Sequence, residues 1–211
     1  MFRVTHLVHL NEGAADADKA AVAEALRAVA PTTAQAHAAP TLPGVFNGGD
    51  VMAHHAFADK AAWDAAKPAF DALLAGGNIR HFDRAGCAAS LVDERTEELG
   101  NGVYRALFLA VKPGVDPARQ ETLEYELSQM PHYIKSIRNW RLSRVDEAAG
   151  ARGWTHVWEQ EYADIDGLNG PYMIHPYHWA RVDRWFDPEC EDWIVDTLLC
   201  HSFGPFEQRV V

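Results

Sequence analysis

The sequence predicts an α+β fold made of two half-domains in tandem. Two consecutive passages of the 211-residue chain show the same order of strand-like and helix-like patterns, β-α-β-β-α-β. A short echo supports the repeat, because residues 57–59 (Phe-Ala-Asp) and 162–164 (Tyr-Ala-Asp) each end a strand-like run and open a helical one. The composition supplies a core, with 48% hydrophobic residues and seven Trp against 23% charged residues.

The first passage contains six predicted elements. Alternating apolar residues at 3–10 are typical of a half-buried strand, and the stripe Val22, Leu26 and Val29 has helical spacing. Pro31 is expected to end that helix. In order, we predict a strand at 3–10, a helix at 14–30, strands at 44–47 and 51–57, a helix at 60–74 and a strand at 85–92.

The second passage repeats this order. We predict a strand at 103–111, a helix at 117–134, strands at 140–145 and 154–162, a helix at 176–186 and a strand at 194–203. The Glu-rich stretch 94–101 is the predicted linker, so the half-domains are expected at residues 1–95 and 102–211. Two ferredoxin-like units of this kind can pair their sheets, which predicts a dimeric α/β-barrel arrangement within one chain.

Charge and cysteine usage restrict the partners and the compartment. A net charge of −11 opposes binding to nucleic acid or to an anionic membrane surface. No stretch has the length and apolar character of a signal peptide or a membrane span. Three cysteines without a CxxC spacing are expected to be free thiols in a reducing compartment. We therefore expect a cytoplasmic protein whose partner is a small molecule.

Polar and aromatic residues are concentrated at 170–179, and these supply the candidate catalytic groups. Pro176 suits a first helical turn, which makes His175 a candidate cap and places His178 just inside the helix. The positive end of a helix dipole lowers the pKa of a nearby histidine, and a neutral His178 could act as a general base. Tyr172 precedes this helix and is a candidate acid, while a purely structural capping role is the alternative for His175.

A second group of candidates lies on the strand at 154–162. Alternation places Trp154, His156, Trp158, Gln160 and Tyr162 on one face. Such an aromatic and amphipathic face suits a flat, partly apolar ligand. We therefore expect His156 and Trp158, together with His175 and Trp179, to contact a substrate. His156, His175 and His178 could alternatively form a three-histidine metal site, but their spacing does not favour it, and no metal is expected.

These residues carry a resemblance to a known family. The run Gly153-Trp-Thr-His156 and the motif Tyr172-x-x-His175-Pro-x-His178 resemble the stress-responsive A/B-barrel (Dabb) family, and in particular its plant polyketide cyclase branch. The resemblance covers residues 103–204; before that it rests on the order of elements. It implies cofactor-free aldol closure of a poly-β-ketone chain, with Tyr172 and His178 as the acid/base pair.

The sequence departs from the family pattern on the first strand of each half. The histidine that the resemblance implies there is replaced by Arg105 in the C-terminal half, and arginine would bind an anion rather than act as a base. His6 occupies the comparable place in the N-terminal half. His54 and His55 point to opposite faces, so at most one of them can join His6, and we expect His54 to do so. This half is either a degenerate partner or a second site.

The resulting hypothesis is a cofactor-free cyclase, lyase or isomerase that acts on a small aromatic or polyketide-like substrate. Nucleotide-binding loops, nucleophile elbows and HExxH motifs are missing from the sequence, so nucleotide-driven and hydrolytic mechanisms have no support. The alternative is a non-catalytic, stress-responsive ligand-binding protein. A homodimer is compatible with either function, because an internal repeat can replace dimerisation or add to it.

Overall fold

The computed structural model describes residues 1–29 and 33–211, so the expected helix end at Pro31 lies outside the described residues. The strands are β1 (Phe2–Leu10), β2 (Gln35–Pro40), β3 (Val51–Phe57), β4 (Ile79–Cys87), β5 (Val92–Arg95), β6 (Gly102–Leu109), β7 (Asn139–Arg144), β8 (Glu147–Ala149), β9 (His156–Tyr162) and β10 (Cys200–Phe206). The helices are α1 (Asp16–Ala28), α2 (Lys60–Leu74), α3 (Pro117–Tyr133) and the short α4 (Ile165–Gly167). π-helical turns follow at Leu168–Tyr172 and His178–Val182, and a 3₁₀ turn at Asp183–Trp185.

The fold is α+β, with two antiparallel five-stranded sheets. The first sheet has the order β2-β3-β1-β4-β8, and the second has the order β10-β6-β9-β7-β5. Each half therefore has the ferredoxin-like arrangement that the sequence predicted. The two sheets exchange their outermost strands: β8, from the second passage, pairs with β4, and β5, which follows the first passage, pairs with β7.

Three hydrophobic clusters divide the interior. The helices α1 and α2 cover the outer face of the first sheet, where Trp63 and Phe70 are fully buried. The outer face of the second sheet packs against α3 and the irregular helical region at 165–185. The third cluster lies between the sheets and contains Leu7 and Met52 from one sheet and Phe108 from the other. Both faces of each sheet are therefore buried.

The barrel expected from the sequence is not closed. Within the described residues, the backbone ladders form two separate sheets. At one side an isolated bridge joins Phe46 to His201, and Leu42 donates a backbone hydrogen bond to Phe203. The sheets thus pack face to face and touch at this edge without a continuous ladder. None of the helices in the described part of the chain has the length and apolar character needed to cross a bilayer.

Several strand boundaries differ from the sequence prediction, and β5 runs into the predicted linker at 94–101. Strand β2 lies in the Pro- and Ala-rich connection, whereas the stretch predicted at 44–47 forms a turn with only the bridge at Phe46. Strand β4 begins earlier than the predicted 85–92, and β10 begins later than the predicted 194–203. Strand β8 lies in a segment predicted to be a turn. For β2 and β8, pairing with a neighbouring strand overrides weak local propensity.

Gly49, in the turn before β3, has a left-handed backbone and lies close to Val8. Each feature favours glycine, and a comparison with Gly114 separates their contributions to stability. Gly49 has φ +78° and a Cβ there would lie 2.6 Å from the Val8 carbonyl oxygen, whereas Gly114 has φ +80° and open space around it. We expect Gly114→Ala to lose about 1 kcal/mol of unfolding free energy because of the left-handed backbone. Gly49→Ala should lose about 3 kcal/mol because the clash adds to the same strain. Urea unfolding of both variants measures the difference, and equal losses would contradict the close approach.

Candidate active site

A pocket of about 350 Å³ opens between the second sheet and the irregular helical region. Tyr172 and His178 both line it, and Arg105 forms part of its wall. Apolar side chains supply most of the remaining surface, namely Phe46, Leu107, Leu127, Val182, Phe186 and Leu199. The pocket therefore combines an apolar enclosure with a few convergent polar groups, as small-molecule sites usually do.

The catalytic candidates are in direct contact. The rings of Tyr172 and His178 have centroids 4.6 Å apart with an interplanar angle of 61°. Burial, with a smaller contribution from Arg105, lowers the pKa of His178 to about 4. His178 is therefore neutral near pH 7, as the sequence analysis expected, but the cause is burial beside a cation rather than a helix dipole. Its Nδ1 atom is buried and makes no hydrogen bond with the described residues.

Tyr172 is held in its neutral form by its surroundings. It is 2% exposed, and burial raises the pKa of its hydroxyl, although Arg105 opposes the shift. The Arg105 guanidinium lies over the Tyr172 ring at 5.0 Å from the centroid. A neutral phenol beside a guanidinium can donate a proton or a hydrogen bond to a ligand oxygen that gains negative charge.

Arg105 is the buried cation of the pocket, and two side chains fix its position. Its Nε donates to His201 Nε2 at 2.6 Å, and one terminal nitrogen donates to the side-chain oxygen of Gln160. Burial and the neighbouring Arg105 lower the pKa of His201 to about 2, so His201 accepts this hydrogen bond as a neutral ring. His201 lines the pocket, and sequence reasoning missed it. The strand predicted at 194–203 contains His201, but the sequence gives no signal that pairs this strand with β6.

The irregular helical region places the two candidate side chains. Residues 165–174 are helical and end at His175, and a second helical stretch runs over 176–185. Pro171 lies inside the first stretch, within the π-helical turn Leu168–Tyr172. A π-helical turn widens the backbone and re-aims side chains, and such turns are frequent at functional sites. Tyr172 and His178 lie in the two π-helical turns, on either side of the break at His175.

Two predicted substrate contacts on β9 do not reach the pocket. His156 is fully buried, and its Nε2 lies 2.9 Å from Glu124 Oε1 on α3. Arg144 binds both oxygens of the same carboxylate at 2.7 and 2.8 Å. Trp158 is fully buried in the helix-facing core of this half. The face shared by His156, Trp158, Gln160 and Tyr162 exists, but Trp154 lies in the cluster between the sheets instead.

The two remaining C-terminal candidates also lie outside the pocket lining. His175 lies at the break in the helical region, where its Nδ1 accepts the Tyr177 backbone N–H at 3.1 Å. Its carbonyl oxygen accepts the His178 N–H at 2.9 Å, so His175 caps the second stretch. Trp179 is 58% exposed on the outer surface. The structure thus brings Tyr172, His178 and Arg105 together and leaves His175 and Trp179 outside.

The N-terminal histidines occupy closed environments. His6 is fully buried, and its ring stacks on Phe70 with a centroid distance of 5.2 Å. The neighbour of His6 on that face is His55 at 6.4 Å, which corrects the expectation that His54 would join it. His54 points between the sheets, where it contacts Thr5 at 3.0 Å and Glu159 at 3.2 Å.

The C-terminal half of the chain matches a known protein-family model. Residues 103–196 match the model of the stress responsive A/B barrel domain, Dabb. The C-terminal half is a Dabb domain. The matched range includes Arg105, Tyr172 and His178, and it excludes His201. No curated protein matches the chain by sequence.

Solved structures resemble the whole chain in fold. An anthrone oxidase-like protein has a TM-score of 0.61 and 10% identity over 97% of this chain and 92% of its own. A putative chlorite dismutase, TA0507, has a TM-score of 0.56 and 15% identity over 95% and 93%. A putative monooxygenase from Lactobacillus acidophilus has a TM-score of 0.55 and 10% identity over 95% and 91%. At these identities the likeness shows the fold, which places the Dabb domain beside a second unit of similar architecture.

Removal of the His175 cap should lower the free energy of unfolding. His175→Ala eliminates the acceptor for the Tyr177 N–H and should cost about 1 kcal/mol of unfolding free energy. His132→Ala, at an exposed position on α3, is the control and should change stability by less than about 0.5 kcal/mol. Urea midpoints of the two variants provide the comparison. A His175→Ala midpoint equal to that of His132→Ala would show that this hydrogen bond does not stabilise the helical region.

Proposed function

We propose that the protein is a cofactor-free acid/base enzyme of the cyclase, lyase or isomerase type, with Tyr172 and His178 as its catalytic residues. The observation that supports the proposal most strongly is the ring contact of 4.6 Å between them inside an apolar pocket. Both groups are neutral near pH 7, which is the state that a base and an acid need at the start of a reaction.

Each residue then has a distinct chemical task. His178 removes a proton from a carbon beside a substrate carbonyl. Its buried Nδ1 makes no hydrogen bond with the described residues, and Asp183 Oδ2 lies 3.6 Å from that nitrogen. The carbonyl oxygen gains negative charge as the proton leaves. Arg105 stabilises that enolate oxygen electrostatically, and the Tyr172 hydroxyl donates to it or to the carbonyl that the enolate attacks. Proton return from His178 completes the cycle without a redox step.

The pocket suggests the class of substrate. A volume of about 350 Å³ with mainly aliphatic and aromatic walls accommodates one small, partly apolar molecule. Among the described residues that line it, Arg105 is the one that carries a guanidinium, which suits one carbonyl, phenolate or carboxylate group. We therefore propose a small aromatic or polyketide-like ketone as substrate, in agreement with what the resemblance to plant polyketide cyclases implies.

A non-catalytic ligand-binding protein is the alternative, because the same pocket could hold a ketone without exchanging its protons. Proton NMR in D₂O with a panel of aryl ketones distinguishes the two. The proposal predicts that the protein accelerates deuterium exchange at the α-carbon of at least one ketone that binds. Ketones that bind while their exchange stays at the buffer rate would support the alternative.

The mutational prediction separates chemistry from stability. His178→Ala should lower the catalysed exchange rate by about 10² to 10⁴, or roughly 3 to 5 kcal/mol of barrier. Tyr172→Phe keeps the buried ring and should lower the rate by roughly 10². His175→Ala should retain the rate within a few fold. The proposal is contradicted if His178→Ala keeps a near-normal rate while its urea midpoint falls below that of His175→Ala.

The pH dependence follows from the lowered pKa of His178. A general base works in its unprotonated form, so activity is lost as the pH falls through the pKa of that group. Because the pKa of His178 is lowered to about 4, kcat/KM should stay constant from pH 8 to about pH 5 and fall about tenfold per unit below pH 4. An acid limb centred near pH 6.5 would mean that His178 is solvated or is not the base. Circular dichroism at each pH confirms that the fold persists.

A further inference from the structure

Three potential metal ligands meet at one end of the space between the sheets. The side chains of His9, His81 and Asp83 bring ligand atoms within 4.8 Å of one another. His81 Nε2 lies 3.0 Å from Asp83 Oδ2, and His9 Nε2 lies 3.9 Å from the same oxygen. This cluster shares no residue with the pocket of Tyr172 and His178.

Strand register brings the three residues together. His9 on β1 pairs directly with His81 on β4, and Asp83 follows two residues later on the same face. Residues directly opposite in antiparallel strands have Cβ atoms about 5 Å apart, which is a suitable distance for two imidazoles to share an ion. The register shifts between His9 and Leu10, and such an irregularity re-aims side chains at a strand end.

Hydrogen bonds to Oδ1 fix the orientation of the Asp83 carboxylate. Asp83 is 2% exposed, and its Oδ1 accepts hydrogen bonds from the Ala151 N–H at 2.8 Å and the Trp154 indole N–H at 3.0 Å. Gly150 makes this approach possible, since it has φ +115° and a Cβ there would lie 2.2 Å from Asp83 Oδ1. Oδ2 faces the two imidazoles, and the Cys200 thiol also donates to it at 3.9 Å. Hydrogen bonds of this kind to the second oxygen orient metal-binding carboxylates.

The histidines are available as ligands. The Nε2 atom of His9 is buried and makes no hydrogen bond with the described residues. The side chain of His81 is 39% exposed, which gives an ion access from solvent. Ligands about 2.1 Å from one ion at adjacent coordination positions are separated by roughly 3.0 to 3.5 Å. The three ligand atoms lie within 4.8 Å of one another, so the rings must draw closer when an ion binds.

We propose that His9, His81 and Asp83 bind one divalent first-row transition-metal ion. Two imidazoles and one carboxylate form a donor set that suits zinc, cobalt, nickel or ferrous iron better than calcium or magnesium. The remaining coordination positions are open on the side of His81, where water can fill them. The site lies on the opposite half of the chain from the catalytic candidates, so it does not depend on the proposed function.

Metal titration of the full chain tests the site directly. After treatment with EDTA, calorimetric titration with Zn²⁺ should show one ion per chain, and titration with Co²⁺ should produce visible absorption bands of a bound ion. Zn²⁺ should also raise the melting temperature, because a ligand that binds only the native state stabilises it.

His81→Ala is the decisive variant, since the partly exposed side chain can be removed without opening the core. It should weaken Zn²⁺ binding at least tenfold and abolish both the Co²⁺ bands and the rise in melting temperature. His9→Gln provides a second test with the same expectation, and His132→Ala is the control that should bind like the wild type. The proposal is overturned if wild-type protein binds less than one ion per chain, or if the two site variants bind Zn²⁺ as the control does.

Discussion

The carboxylate of Glu159, buried between the two sheets, is the group around which the two halves must be arranged. Burial alone would raise its pKa, but Arg141, His54 and Tyr104 together hold that pKa at about 2. Arg141 and Tyr104 come from the same sheet as Glu159, at 3.4 and 2.7 Å, whereas His54 reaches it from the other sheet at 3.2 Å. A buried charge is tolerated only when its partners are present. The sheets must therefore pack in the register that brings His54 to Glu159.

With the inner faces fixed in this way, the two halves differ on their outer faces. In the N-terminal half, His6 stacks on Phe70 and the core is closed by regular helices. In the C-terminal half the comparable position is Arg105, whose guanidinium needs polar partners and finds them in Gln160 and His201. The covering segment is irregular there and leaves a pocket beside the cation. The half with His6 at this position thus has a filled core, and the half with Arg105 has a candidate site.

Periodicity predicted the regular part of this fold because those elements have strong local signals. The helix predicted at 60–74 has the observed bounds of α2, and the strand at 51–57 has those of β3. Strands β2 and β8 were missed because their residues form strands only when a neighbour offers a backbone ladder. The π-helical turns at Leu168–Tyr172 and His178–Val182 have no periodic signature in so short a segment.

The residues of the candidate site also divide into those that local sequence signals predicted and those that depend on distant parts of the chain. The spacing of Tyr172 and His178 around Pro176 suggested a shared location, and the structure places both in one pocket. His156 was grouped with them by strand alternation, but nothing in the sequence shows that Glu124 on α3 binds its ring. His201 comes from a distant strand and enters the pocket only through the pairing of β10 with β6. The sequence pattern therefore does not determine which distant strands pair or which side chains form ion pairs.

The central claim is that burial beside Arg105 keeps His178 neutral and ready to accept a proton, and this can be measured without a substrate. Protein labelled with ¹⁵N at histidine can be titrated by NMR, and the His178 resonances can be assigned by their loss in His178→Gln. The account predicts that His178 stays neutral from pH 8 to pH 5 and protonates with a midpoint near pH 4. A midpoint near pH 6.5, the value of a solvated histidine, would contradict it.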